Sequence, residues 1–136
     1  MSSEQANVQT VQQAYAAFGR GDIPAVLGML SDDVEWLEPG SAEALPWGGR
    51  RRGREQVGQF FQALDSALDF EAFEPREFIA QGDVVVVLGS ERARVKAGGS
   101  VVTTDWAMVF TLRDGKIARF RDYYDTAPIL AALRGA

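Results

Sequence analysis

The amino-acid sequence predicts a segregated α+β domain, with helices first and an antiparallel sheet after them. Two observations carry that reading. Apolar residues recur at helical spacing in the first half, and beyond Phe70 that periodicity gives way to β-rich segments separated by short Gly-containing turns. The turns Gln81-Gly-Asp, Lys96-Ala-Gly-Gly-Ser and Arg113-Asp-Gly-Lys are too short for the crossover that parallel strands need, so consecutive strands run antiparallel. In order along the chain, Val8, Val11, Tyr15 and Phe18 mark an amphipathic helix from Ser3 to Arg20, closed by Gly19 and Gly21. Asp22, with Pro24 just inside, starts a second helix running to Leu30. Val34, Trp36 and Glu38 alternate with Glu35 and Leu37 as a strand, and Pro39-Gly40 stops it. The Pro/Gly-rich stretch to Gly53 reads as a loop. Arg54 to Leu68 is a third helix, with Val57, Phe60, Phe61, Leu64 and Leu68 on one face. Strands follow near Phe70 to Ile79 (interrupted by Pro75), Val84 to Val95, Val101 to Leu112 and Ile117 to Asp125, and Thr126 with Pro128 begins a short helix through Leu133.

The 136 residues, 46% hydrophobic and 24% charged, fit a single domain over 1–136 that can bury a core without disulfides. The chain has no cysteine and no histidine, which removes thiolate nucleophiles, imidazole bases, Cys/His zinc sites and every triad built on histidine. Acid–base chemistry falls to carboxylates, Tyr, Lys or Arg. A net charge of -5 repels polyanions, so nucleic acid is not an expected partner. No apolar run approaches the ~20 residues that cross a bilayer, and Met1-Ser-Ser-Glu-Gln has neither a basic start nor an apolar segment, so a cytoplasmic protein with no membrane association is expected. No phosphate-loop, dinucleotide or HExxH pattern is present, and no cofactor or metal is expected. The charge run Gly49-Arg-Arg-Arg-Gly-Arg reads as a solvated loop; a ligand's phosphate or carboxylate tail is the alternative, since a helix amino terminus lies beside it.

Helix, helix, strand, helix and then an antiparallel meander is a layout whose bent sheet can leave an apolar cone between its concave face and the helices. The stretch Gly21-Asp-Ile-Pro-Ala-Val-Leu-Gly-Met-Leu-Ser-Asp-Asp-Val-Glu-Trp, the entry Arg52-Gly-Arg-Glu-Gln-Val, and Phe110-Thr-Leu-Arg-Asp-Gly-Lys-Ile-Ala-Arg-Phe-Arg-Asp-Tyr-Tyr-Asp-Thr-Ala resemble the SnoaL-like polyketide cyclases. These belong to the nuclear-transport-factor-2-like superfamily, with ketosteroid isomerases and limonene-epoxide hydrolases. The resemblance implies a cone-shaped α+β barrel in which a strongly curved antiparallel sheet and three helices enclose an apolar pocket. It also implies a homodimer. The fold hosts many chemistries, so function has to come from the pocket.

On the last strand Phe120, Asp122 and Tyr124 share one face. By residue type alone Asp122 is either a solvated strand-end carboxylate or a base whose pKa is set by desolvation and a nearby Arg. The resemblance selects the second, because Asp122 matches the general base of cyclase and epoxide-hydrolase relatives. Arg92, on the strand face of Val86, Leu88, Ser90 and Arg94, is the expected partner of Asp122, with an exposed strand-end Arg as the alternative. Arg94 stands where the epoxide hydrolases carry their acid Asp, and a guanidinium donates no proton at neutral pH. Glu38, before Pro39 and on the face of Trp36, is either a second acid or base or a rim carboxylate. The oxyanion donors of ketosteroid isomerases fall on Ala14, with Tyr15 one residue away, and near Met108, so both are expected to be missing. A three-residue turn at Ala97-Gly98-Gly99 would bring Trp106, Met108 and Phe110 to the face of Arg92, whereas a two-residue Gly-Gly turn would set Arg92 opposite Asp105. With the three-residue turn, Trp36, Trp106, Met108, Phe110 and Phe120 surround Asp122 and Arg92, while Tyr15, Phe18, Phe61 and Leu64 close the pocket from the helices.

The expected activity is cofactor-free cyclisation or isomerisation of a small apolar molecule of polyketide or terpenoid type, with Asp122 as base, Arg92 orienting it and Glu38 assisting. Epoxide hydrolysis, or a non-catalytic ligand-binding or dimerisation domain, is the alternative.

Overall fold

The computed structural model describes residues 3–135. Its elements are α1 (Ser3–Gly19), α2 (Ile23–Gly28), β1 (Leu30–Glu38), β2 (Gly49–Arg52), α3 (Gly53–Ala67), β3 (Leu68–Gln81), β4 (Val84–Val95), β5 (Val101–Arg113), β6 (Lys116–Tyr124) and α4 (Ala127–Arg134). The strands form one curved, unclosed sheet in the order β2-β1-β6-β5-β4-β3. The expected helices form where their signals place them. Asp22 caps α2 by accepting a hydrogen bond from the Ala25 amide at 3.2 Å, and α1 buries Val11, Ala14 and Ala17. From α3, Val57, Phe60 and Phe61 are buried. No helix among the described residues is long and apolar enough to cross a membrane.

Three features differ from the sequence reading. The stretch before Gly53 is not all loop, since Gly49–Arg52 forms β2 and pairs antiparallel with β1, Glu38 opposite Gly49. Two arginines of this run are tied to backbone: Arg51 Nη1 donates to the Trp47 and Gly48 carbonyls at 2.8 and 3.2 Å, and Arg54 donates to Leu30 O while pairing with Asp32 at 2.8 Å. In addition, β1 runs parallel to β6, which places Trp36 beside Phe120. Their rings stack with centroids 4.0 Å apart, and Phe60 and Phe61 of α3 close over Trp36 at 5.5 and 5.7 Å. That contact clamps the helical layer to the middle of the sheet.

The β5–β6 turn is the two-residue Asp-Gly hairpin its sequence suggests, Asp114 at φ 52 and Gly115 at φ 76, with Arg113 opposite Lys116. The β4–β5 turn is longer than expected. The Val95 amide donates to Ser100 O at 2.8 Å, leaving residues 96–99 as a four-residue turn in which Gly98 and Gly99 both take positive φ. Four residues preserve the parity of a two-residue loop, so Arg92 stands opposite Thr103 and Glu91 opposite Thr104. The concave face of β4 therefore carries Glu91, and Arg92 points away from it.

Opposite Trp106 on β4 is Gly89. A Cβ there would lie 2.5 Å from Glu74 O and 2.5 Å from the Trp106 ring, so the indole lies flat over bare backbone. Gly89→Ala is expected to destabilise the fold by about 3 kcal/mol. Urea unfolding followed by far-ultraviolet circular dichroism checks this, and a change within experimental error would mean that the ring moves freely.

Candidate active site

A cavity of about 90 Å³ lies between the helices and the concave face of the sheet. The helices contribute Tyr15, Phe18, Phe61 and Leu64, and the sheet contributes Trp36, Met108, Phe110, Phe120 and Tyr124. These nine expected residues come together because the β5 and β6 registers, Met108 opposite Asp122 and Phe110 opposite Phe120, stack alternate side chains on one face. Trp106 does not reach the wall. It is 4% exposed and sits behind it, its ring parallel to Phe73 at 5.2 Å and to Tyr15 at 6.0 Å, because Gly89 draws the indole down onto β4.

Three acidic side chains interrupt this apolar wall: Glu38 from the end of β1, Glu91 from β4 and Asp122 from β6. Glu38 is 7% exposed and Asp122 9%. The two act on each other as a coupled pair in which Glu38 holds its proton more tightly than Asp122. Burial, followed by the negative charge of Asp122, pushes the Glu38 carboxyl well above the usual range, and Arg51 opposes the shift. Burial also pushes Asp122 up to about 7, against the lowering effect of the hydrogen bonds from Glu38 and the Tyr123 amide. Like the paired carboxyls of aspartic proteases, Glu38 and Asp122 lose their protons in two separated steps, Asp122 first. Asp122 Oδ1 is buried with no hydrogen-bond partner among the described residues. Glu91 is pushed up to about 8, by burial first and then by the charge of Asp122.

Arg92 is the main correction. It is about half exposed and its Nε donates to Glu71 Oε1 at 2.8 Å; Arg94 pairs with the other Glu71 oxygen at 3.6 Å. Neither guanidinium enters the cavity, because the four-residue turn gives that face to Glu91, Ala93 and Val95. Arg51 is the cation that acts on the buried carboxyls, through Glu38. Its guanidinium lies 5.6 Å above the Phe60 ring and burial lowers its pKa.

Two hydroxyls complete the polar inventory. Tyr124 accepts a hydrogen bond from Trp47 Nε1 at 3.0 Å. Tyr15 donates to Met108 Sδ at 3.1 Å, so a tyrosine hydroxyl reaches the region where the sequence suggested that both oxyanion donors were missing. A thioether is a weak acceptor, which leaves that O–H available to a better one. Burial raises both phenols, keeping them protonated. No three acidic side chains among the described residues come close enough together to hold a metal ion.

Sequence reasoning missed Glu91, Trp47, Phe70 and Phe73, all on the wall. For Glu91 the alternation of Arg92 and Arg94 with Ala93 and Val95 marks which residues share a face, but the run Val84 to Leu88 puts apolar residues on both faces and leaves the inner one unmarked. Trp47 sits in an aperiodic loop. Phe70 and Phe73 lie on opposite sides of a register shift between Phe70 and Ala72, which breaks simple alternation.

This geometry has close relatives. The chain matches the SnoaL-like domain model over residues 11–120. A nuclear-transport-factor-2-like protein of Burkholderia xenovorans is 36% identical, with a TM-score of 0.83 over 97% of this chain and 96% of that one. Another, of Burkholderia pseudomallei, is 32% identical with a TM-score of 0.87 over 97% and 98%. TerC, co-crystallised with polyporic acid, is 32% identical with a TM-score of 0.85 over 95% and 98%. With the domain model spanning most of the chain and the curved sheet, helical cover and interior cavity all in place, the protein belongs to the SnoaL-like family of the nuclear-transport-factor-2-like superfamily.

Proposed function

We propose that this chain is a cofactor-free acid–base enzyme that cyclises or isomerises a small apolar, polyketide- or terpenoid-like molecule, with Asp122 as the base. The observation that carries this reading is the unpartnered Oδ1 of Asp122, buried on the wall of an otherwise aromatic cavity. An acceptor left unsatisfied inside a protein costs about 1–3 kcal/mol, and a ligand that presents a proton there removes the cost. With a pKa of about 7, Asp122 is both substantially ionised near neutrality and more basic than an exposed carboxylate, as general-base catalysis from carbon requires. The TerC complex supports a small organic ligand for this cavity. Glu38 sets the charge and orientation of Asp122, and the Tyr15 hydroxyl is available to a developing oxyanion. Epoxide hydrolysis ranks behind, since it draws on an arginine bridging two acids, whereas here Arg92 turns to Glu71 and Arg94 replaces the acid. The outer face of the sheet exposes Ile79, Val101 and Tyr123, which favours a second copy as its cover.

β-Tetralone, a small bicyclic ketone with acidic α-protons, serves as probe. In deuterium oxide the wild-type protein is expected to catalyse its α-exchange. Asp122→Asn should slow exchange by about 10²–10⁴-fold while leaving affinity, read from Trp fluorescence, within a factor of about three. Equal exchange rates for the two proteins would remove Asp122 as the base.

Stability carries the same signature. Asp122 and Glu91 have folded pKa values raised above their unfolded ones, so the folded state binds more protons than the unfolded state at intermediate pH. Their contribution is fully present below about pH 4 and is lost as pH rises through about 7 and 8. Asp122→Asn should therefore stabilise the protein at pH 8 by about 1 kcal/mol or more relative to its effect at pH 5. Thermal unfolding at the two pH values checks the sign. Sedimentation at tens of micromolar should give a dimer, and a monomer would leave the exposed sheet face without its proposed cover.

A further inference from the structure

We infer that Glu91 is the acid of this site, protonating the carbonyl oxygen of a neutral ketone-type substrate while Asp122 takes the proton from the adjacent carbon. The inference rests on the proposed role of Asp122 and adds a second catalytic residue and a substrate class.

The three carboxyls are not equivalent. Glu38 is the group whose proton affinity is tied most directly to Asp122, so its proton serves that pair. Glu91 lines the same cavity and feels the charge of Asp122. It makes no hydrogen bond with Asp122, and no ion pair engages it among the described residues. Its strand, β4, is separated from β6 by β5, with Glu91 opposite Thr104 and Asp122 opposite Met108. The two acids thus line one cavity from strands two apart, and the unpartnered Asp122 Oδ1 marks where the ligand's proton is received. No basic side chain among the described residues lines the cavity, so an anionic substrate finds no counter-charge there, whereas a neutral carbonyl finds a carboxylic acid.

The step balances within the site. The C–H proton passes to the Asp122 carboxylate and its electron pair forms the new C=C bond. The carbonyl π pair takes the proton of Glu91, giving an enol, a neutral Asp122 and a Glu91 carboxylate. In a β,γ-unsaturated ketone this enol is a dienol, and isomerisation is completed when Asp122 returns its proton to the γ-carbon, the double bonds shift into conjugation with the re-formed carbonyl, and Glu91 recovers its own proton from the enol hydroxyl.

The order of ionisation suits this division. The groups that share the cavity with Glu91 are Asp122 and Tyr124 from β6, Glu38 from β1 and Tyr15 from α1, with Arg51 of β2 acting on Glu38. Arg92 and Arg94, its neighbours in sequence, face Glu71 instead. Asp122 ionises near 7 and Glu91 near 8, so between those values the base is charged while the acid still holds its proton. Both phenols are shifted up and produce no limb in this range.

The test is the pH profile of β-tetralone exchange for the wild type, Glu91→Gln, Glu91→Asp and Asp122→Asn, each first shown by thermal unfolding to be folded. The wild-type rate should rise through about pH 7 and fall above about pH 8. Glu91→Gln should lower the maximum about 10–100-fold and abolish the alkaline fall while keeping the acid limb. Glu91→Asp should restore an alkaline fall. A Glu91→Gln protein with wild-type rate and an intact alkaline limb, alongside an inactive Asp122→Asn, would overturn the role of Glu91 and leave Asp122 standing. Loss of exchange in Tyr15→Phe with none in Glu91→Gln would transfer the donor role to Tyr15 and equally overturn it. An Asp122→Asn protein as active as wild type would instead defeat the underlying reading of the base.

Discussion

The structure turns on one constraint: Asp122 and Glu38 are buried side by side in an apolar interior, and two carboxylates there cannot both be charged. Desolvation raises both groups, and their mutual repulsion is relieved when Glu38 keeps a proton and shares it with Asp122. The result is a single ionisable unit near neutrality, attached to the two strands β1 and β6 whose parallel pairing is the one exception to the antiparallel sheet. Without that pairing, Glu38 and Asp122 would sit on unrelated strands and each would have to find its own compensation. The Trp36–Phe120 stack, two residues back on each strand, holds the pair in register.

Around this unit the interior is unusually aromatic, and the rings have separate tasks. Trp36, Phe60, Phe61 and Phe120 clamp helix to sheet. Tyr15 is held between Trp106 and the edge of Phe110, with its hydroxyl brought to Met108. That position depends on Gly89, since any side chain there would lift Trp106 and displace Tyr15 with it. A backbone position on β4 thereby governs the placement of a hydroxyl supplied by α1, a link running through packed rings in close contact.

The distribution of charge follows the same logic on the two faces of the sheet. Arg92 and Arg94 share Glu71 outside, where water screens the pairs and they contribute little. Glu91, between them in sequence, faces inside with no counter-ion, where a carboxyl is far more basic. One residue's difference in turn length would exchange these environments. Such sensitivity explains why a strand of alternating acid and base is a poor guide to function until its register is known.

The amino-acid sequence by itself determined the element order apart from β2, the helix caps at Asp22 and Gly19–Gly21, the Asp114-Gly115 hairpin, and most of the aromatic and aliphatic faces that build the cavity wall. Local physics suffices for these, because helical and strand periods, caps and tight turns depend on residues within a few positions of one another. Alternation along their own strands also set Asp122 on the face of Phe120 and Tyr124 and Glu38 on that of Trp36, and the family resemblance then marked Asp122 as the base. Only the tertiary structure decided that Glu91 rather than Arg92 enters the cavity, that Trp106 lies behind the wall, and that the Arg50–Arg52 run is a strand. Each depends on how one strand is aligned to another. A four-residue turn, a glycine opposite an indole and a parallel β1–β6 pairing are contacts between distant residues, and no local pattern encodes the face on which their side chains come to rest.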